Sequence, residues 1–402
     1  MKSILFITYE YPTYTPFGGI AFYYQKTAKI LTSLGVKVCI FTAKVSEQKQ
    51  NKDSDELTIV YIPCDGLNEF HDLAYQKLRK DAVFFDIIEV PHFGAPFLKE
   101  LQNGNIRNHC AVFTVRVHGS TLLSGITNSL VYFKYYKLLK YLGNNFFINP
   151  ITLRFIKKVN PSLYGDFKSH YRQSILISLA DVVNTTSGLM KNYIKENYLT
   201  KKTDPKVFDN PSQFELSGNF SINDRLRILY VNRLQYWKGI DLFVDAVSLR
   251  QFVDLIDVEI YGEDCVGIST LVKSDEINTL NFKGKVNQTT LQKAMLEADI
   301  VVIPSRFESY SNVAIEAMSN SCIVILSDNV GFVNNIQDGV NGFVFKSGKL
   351  DSLIAAINRV ISLDENILID IKKNAFNTAK ILSENKDLRN YYLSLVKTES
   401  ES

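Results

Sequence analysis

Cysteine is scarce in this chain, and what there is does not pair. The five cysteines among 402 residues, Cys39, Cys64, Cys110, Cys265 and Cys322, are odd in number, include no C-x-x-C and sit at no ligand spacing. That excludes a disulfide scaffold and a structural zinc ribbon, and leaves buried thiols in a reducing compartment. Long apolar runs are missing as well. No uncharged apolar run approaches the roughly 18 residues of a membrane-spanning helix, and the apolar run in the opening MKSILFITYEYP is too short for a signal-peptide core. The expectation is a cytoplasmic protein, free or held peripherally at the inner face of the cell membrane. Charge of one sign is not in excess either: a net charge of +3 implies no global attraction to nucleic acid. The five histidines show no pair at zinc spacing, so no metal is expected. One D-x-D, Asp53-Ser54-Asp55, lies in a Lys/Gln/Asn-rich stretch away from any strand end and reads as surface loop.

What is present is enough apolar material for two cores. With 46% hydrophobic and 22% charged residues, the length suits two domains of ordinary size. The first begins with a buried strand pattern, Ile4 to Thr8, a loop carrying Pro12, Pro16 and Gly18-Gly19, a helix pattern from Ile20 to Leu34 and a second strand from Val36 to Phe41. Further strands are expected at 57–62, 86–89, 110–117 and 182–185, with helices at 169–179 and 187–198. Strands alternating with helices predict parallel α/β sheets, whose ligands bind at the carboxyl edge. His118 falls at that edge in TVRVHGS, and His92 in EVPHFG is similarly placed. Gly18-Gly19 would let backbone approach a ligand closely at a helix start, although a plain tight turn reads the same way. A polar stretch from Thr200 to Asp224 is the linker, giving domains at 1–208 and 209–380 and a terminal helical segment at 381–402.

The second series of strands is expected at 227–231, 259–262, 280–284, 300–303 and 322–326. Its first loop, VNRLQYWKGID, sets Arg233 and Lys238 five apart between strand and helix. Two cations there can hold an anionic leaving group as charge builds on it, or merely be a solvated loop pair. The stretch DIVVIPSRFESYSNVAIEAM, 299–318, reads as strand, turn and helix. Backbone N–H groups from Tyr310 through Ser311 and Asn312 to Val313 would face an anion with the positive end of the helix dipole behind them. Glu308 and Glu316 would then accept hydrogen bonds from hydroxyls on either side of the anion, and a diphosphate flanked by hydroxyls is a nucleotide sugar. Spacing alone leaves open an ordinary helix pair.

This stretch resembles the signature of the family 4 retaining glycosyltransferases: a Glu, seven residues, then a second Glu followed by Ala-Met, here Glu308 to Glu316 with Ala317 and Met318. The usual Phe-Gly is Tyr310-Ser311, and the Gly expected after Ala-Met is Asn320. The resemblance covers nearly the whole chain. It implies the GT-B fold, two Rossmann-like parallel-sheet domains facing a central cleft, and transfer of a hexose from a UDP- or GDP-sugar without metal. The Gly-Gly loop would then reach the donor diphosphate, His118 would contact the donor sugar, and Arg233 and Lys238 would hold the diphosphate. Glu308 would hold sugar hydroxyls, Glu316 the ribose diol, and FKGKV, with Gly284 and Val286, the base. The final helix is expected to cross back to the first domain.

One stretch fits the resemblance least. From Gly119 to Gly165 there are Lys134, Lys137, Lys140, Arg154, Lys157 and Lys158 but no Asp or Glu, among many aromatics. The spacing in LVYFKYYKLLKYL suits an amphipathic helix at anionic lipid, so 130–158 is a candidate for peripheral membrane contact and for meeting a glycan or lipid-linked acceptor; a solvated helix pair is the plainer reading. Two other functions stay open: a nucleotide-sugar epimerase of the same architecture, and a non-catalytic transferase-like subunit of an envelope glycan complex.

Overall fold

Runs of β-branched and aromatic residues bounded by glycine, proline and polar turns fold into two wholly parallel sheets. The computed structural model describes residues 2–11, 19–44, 56–119, 157–158, 161–198, 204–212, 214–252, 254–265, 267–268, 271–272 and 280–397. The first sheet contains β1 (Ser3–Thr8), β2 (Lys37–Lys44), β3 (Leu57–Pro63), β4 (Phe85–Pro91), β5 (Cys110–Val117), β6 (Val182–Thr185) and β7 (Lys206–Val207) in the order β3-β2-β1-β4-β5-β6-β7. The second contains β8 (Leu226–Val231), β9 (Ile256–Tyr261), β10 (Asn281–Gly284), β11 (Ile300–Ile303), β12 (Ile323–Ser327) and β13 (Phe343–Phe345) in the order β10-β9-β8-β11-β12-β13.

Both sheets reverse their strand order at one place. In the first it lies between β1 and β4, where Ile4 registers with Val38 on one side and Ile87 on the other. In the second it lies between β8 and β11, where Ile300 registers with Ile228 and Ile323. Successive connections leave in opposite directions at such a point, so the carboxyl edge there opens into a crevice. The strands beside it are apolar on both faces, as helices on either side require: β11 is Ile-Val-Val-Ile with every residue buried. The helix Leu350–Ile361 shows the complementary pattern, burying Leu353, Ala356, Ile357 and Val360 along one stripe.

Two expectations are corrected. The stretch read as a linker from residue 200 contains β7, which pairs with β6 through Asn184 and Thr185. Two exposed residues are too short a strand to leave a periodic signature. The segment from Asp364 to Lys397 is two helices, Glu365–Ser383 and Lys386–Lys397, broken where Asn385 takes a left-handed φ of 52°. The break therefore falls at 384–385, beyond the expected boundary at 380.

The last helix lies on the first sheet, with Leu388 and Tyr392 in one cluster with Ile4, Phe6, Tyr24 and Ile87. Among the described residues no helix is long and apolar enough to cross a membrane. Of the basic insertion only Lys157 and Lys158 between 120 and 160 are described, both exposed, so the expected membrane contact lies largely outside the described residues, as does the Asp53-Ser54-Asp55 loop.

Candidate functional site

The loops that follow the strands at the two switch points face each other across a cleft of about 390 Å³. From the first domain it is lined by Gly19, Phe93 and His118; from the second by Arg233, Trp237, Lys238 and the run Phe307 to Val313. A larger hollow of about 920 Å³ sits at the opposite, amino edge of the second sheet, around Asn223, Arg225 and Glu259. Its charges already answer one another, Arg225 to Asp257 and Arg227 to Glu259. Two buried polar atoms without a hydrogen-bond partner, His118 Nε2 and Ser311 Oγ, belong to residues that line the smaller cleft.

In the second domain the loop after β8 turns sharply at Gly239, whose φ of 73° favours glycine and whose Cα lies so close to Pro304 that an added Cβ would sit 2.1 Å from the Pro304 carbonyl oxygen. That approach seats Lys238 against the loop after β11. Its Nζ lies 2.8 Å from Glu308 Oε1 and 4.3 Å from the centre of the Trp237 ring. Burial pushes the Lys238 amine below its ordinary range, and Glu308 works against that shift. Ser305 donates to the other Glu308 oxygen at 3.0 Å. Arg233 is exposed at the rim, its guanidinium 5.8 Å from the Trp237 ring, with no ion-pair partner among the described residues. One cation held by a carboxylate and one left open make a site that gains by taking up an anion.

The turn into the helix Asn312–Ser319 supplies the other half of that anion site. Tyr310 is buried, and its hydroxyl donates to the Asn210 carbonyl at 3.4 Å. Ser311 has φ 102° and ψ 93°, a conformation side chains avoid, and its buried Oγ has no hydrogen-bond partner. This is where the resembled pattern carries glycine, and the backbone supplies the reason. Asn312 begins the helix, and Val313 follows with its N–H free of an intrahelical acceptor by its place in the first turn. Glu316, one turn beyond Asn312, shares its face. Its carboxyl is buried and makes no hydrogen bond among the described residues; burial first, then the Glu308 charge, raises it to about 8.

The first domain contributes Gly19 and His118. An added Cβ on Gly19 would meet Asn312 Nδ2 at 2.7 Å, so the two helix starts abut across the cleft. His118 packs edge-on against Tyr23 and Tyr24, with ring centroids 5.2 and 5.9 Å away, and its Nε2 is buried without a partner. Burial, and after it Arg116 and His92, hold the imidazole well below the ordinary histidine range, so it is neutral. A neutral ring can exchange hydrogen bonds with a hydroxyl. Its backbone is tied across the cleft, because Ser309 Oγ donates to the His118 carbonyl at 2.6 Å while Ser309 O accepts from Thr186 and Ser187.

Nine of the residues singled out in the sequence thus line one cleft: Gly19, His118, Arg233, Lys238, Glu308, Tyr310, Ser311, Asn312 and Val313. Glu316 lies on the same helix face just beyond it. Gly284, which ends β10, and Val286, which packs on the core below β11, do not line it. Gly18 lies outside the described residues. Sequence reasoning passed over Trp237, Ser309 and Arg116, whereas Asn210-Pro211 resembles the interdomain Asn-Pro element of the family, and Asn210 lines the cleft. Only Trp237 carries a sequence signal that could have found it, as the single tryptophan, set between the two cations. The others act through partners about a hundred positions away.

Residues 213–378 match the family model of glycosyl transferases group 1. An uncharacterized glycosyltransferase of Methanocaldococcus jannaschii is 31% identical over 220 residues, 48% of this chain and 55% of that protein; the chain spans a little over half the length of such curated relatives. Sucrose-phosphate synthase from Thermosynechococcus elongatus superimposes with a TM-score of 0.70 over 98% of both chains at 17% identity. Anabaena HepE, solved with UDP and glucose, gives 0.61 over 98% of both chains, also at 17% identity. Two parallel sheets facing a cleft are the GT-B architecture of these structures, and the second of them, within residues 213–378, is similar to the group 1 glycosyl transferases.

Proposed function

We propose that this protein is a retaining, metal-independent hexosyltransferase that moves a sugar from a UDP- or GDP-sugar to a hydroxyl of a glycan or glycolipid acceptor, in the assembly of bacterial surface polysaccharide at the inner face of the membrane. The observation that carries the reading is the convergence of Arg233, Lys238 and the Asn312 helix start on one side of a cleft whose other side is Gly19 and neutral His118. Developing charge on a departing diphosphate would be met by two cations and a helix dipole that are already in place. Glu308, held between Lys238 and Ser305, would accept from sugar hydroxyls, with His118 opposite, and buried Glu316 from the ribose diol. Among the described lining residues the carboxylate, Glu308, is engaged by Lys238 and Ser305, and none is assigned the role of a covalent nucleophile. In the proposed step the bond from the anomeric carbon to the diphosphate oxygen breaks. The acceptor hydroxyl oxygen bonds to that carbon on the same face, and its proton passes to the leaving oxygen.

The test is thermal stability against a panel of UDP-, GDP- and ADP-sugars without added metal. A ligand at about a hundred times its dissociation constant adds roughly 2.7 kcal/mol, which is a visible shift. The expected outcome is a shift with one donor that disappears in Glu316→Ala. Well-folded protein that shifts with no donor would instead favour a non-catalytic subunit.

A further inference from the structure

Arg116 lies on β5, two residues before His118, and is completely buried. Residues two apart on a strand share a face, and both side chains rest on Tyr23, the guanidinium carbon 4.3 Å from its ring centre. Removing a guanidinium from water costs several kcal/mol unless its donors are satisfied, yet among the described residues Arg116 has no ion-pair partner. Its hydrogen bonds go elsewhere: to Asn184 Oδ1 at 3.1 Å, to the Phe208 carbonyl at 3.2 Å and to Asn210 Oδ1 at 3.0 Å. The Phe208 ring covers its other face at 4.0 Å. Two of the three acceptors therefore belong to the crossing between the domains.

Asn210 passes this contact on. Its amide donates to Asn312 Oδ1 at 3.4 Å, and its carbonyl accepts from Tyr310. One step away, Asp209 accepts from Asn335 at 3.3 Å. On the other side, Tyr23 belongs to the helix that starts at Gly19, opposite Asn312. Arg116 thus touches the floor under His118 and the Gly19 helix and, through one residue, the turn that begins the anion-binding helix. We infer that Arg116 is a positioning residue: through Asn210 it sets the register of the first-domain half of the cleft against the second-domain half, so that His118 and Gly19 face the sugar and diphosphate held by the other side. A planar fork can span Asn184, Phe208 and Asn210 at once, which the single ammonium of lysine cannot.

The inference rests on the proposed donor reading, and the experiment separates the two. Affinity for free UDP, GDP and ADP is measured by calorimetry on wild type, Arg116→Lys, Asn210→Ala and the double variant. Turnover is measured as sugar released from the matching sugar nucleotide with water as acceptor. There the bond from the anomeric carbon to the diphosphate breaks, water oxygen bonds to the carbon, and its proton goes to the diphosphate. Because the nucleotide sits on the second domain, its affinity should stay within about threefold of wild type. Misregistered halves should slow turnover by at least about tenfold in each single variant. The double variant should be no slower than the slower single, since both act through one contact. Arg116→Lys that loses thermal stability but keeps wild-type turnover per folded molecule would reduce Arg116 to a core residue. Nucleotide affinity falling in step with turnover would place its action in the donor pocket, and also overturn the inference. Should Arg116→Lys fail to fold, Asn210→Ala carries the same expectations. If wild type binds none of the three nucleotides, the donor reading itself fails, and this inference with it.

Discussion

Glu316 is a carboxyl whose surroundings favour its neutral form. Its value of about 8 in the folded protein stands above the 4.5 of an unhindered side chain, so the folded state holds the proton more tightly than the unfolded chain does. The stability this provides is fully present below about pH 4.5 and is lost as pH rises through 8. At roughly 1.4 kcal/mol per unit the loss is a few kcal/mol. Glu316→Gln keeps the shape and removes the titration. Its urea midpoint should therefore match wild type at pH 5 and exceed it at pH 8, while affinity for the nucleotide falls most above about pH 8, where the wild-type carboxyl is ionised and the diol loses a charged acceptor. Equal midpoints at both pH values would show that the carboxyl is better solvated than its burial implies. At Lys238 burial likewise favours the neutral form, and the pairing with Glu308 at 2.8 Å opposes that shift without cancelling it.

At the scale of the element, the turn from β11 into the helix Asn312–Ser319 holds strain that its neighbours must offset. Ser311 at φ 102° with an unpartnered buried hydroxyl should cost about 1–3 kcal/mol relative to an unstrained residue. Replacing it with glycine removes both penalties and adds back only about 0.5–1 kcal/mol of backbone entropy. Ser311→Gly is accordingly expected to raise the melting temperature of the unliganded protein, as scanning calorimetry would show; a lowered value would mean that the serine side chain packs productively where it sits. This turn was legible before the structure because everything that forms it is local: Ile300 to Ile303 as a buried run, proline, then helix formers. The same holds for β1, β5 and β12, whose apolar runs bury almost throughout. What could not be read was non-local. Arg116 and Asn210 are separated by 94 positions, Asn210 and Asn312 by 102, and nothing in the composition around any of them marks the pairing. The break at Asn385 was missed because a single left-handed residue interrupts an otherwise continuous helical pattern.

Across the whole molecule the two domains meet, among the described residues, at several places, including the crossing at Phe208 to Asn210, the contacts of Ser309 with Thr186, Ser187 and His118, the packing of Tyr193 on Phe307, and the last helix. Of these, the helix Lys386–Lys397 invests most in the first domain. Tyr392 is fully buried and donates to Glu89 Oε2 at 2.8 Å, while Tyr391 accepts from Asn184, which also donates to Glu89. Glu89 is itself fully buried on β4; burial raises its carboxyl, opposed first by Arg116 and then by these donors. Ending the chain at Asn385 would strip the cover from Phe6 and Phe208, both of which pack on Tyr392, and leave Glu89 with fewer donors. Burying a large aromatic is worth about 3–5 kcal/mol, and the charge beneath it adds to the loss. The cost should fall on one side only, because the second domain closes its own core with Leu353, Ile357, Leu368 and Ile371 from helices that precede the cut. Differential scanning calorimetry of the shortened chain should therefore resolve two transitions, the lower belonging to the first domain. Nucleoside diphosphate should still raise the upper one. A single transition lowered as a whole would mean instead that the domains melt as one unit, and that the final helix stabilises the pair rather than the sheet it covers.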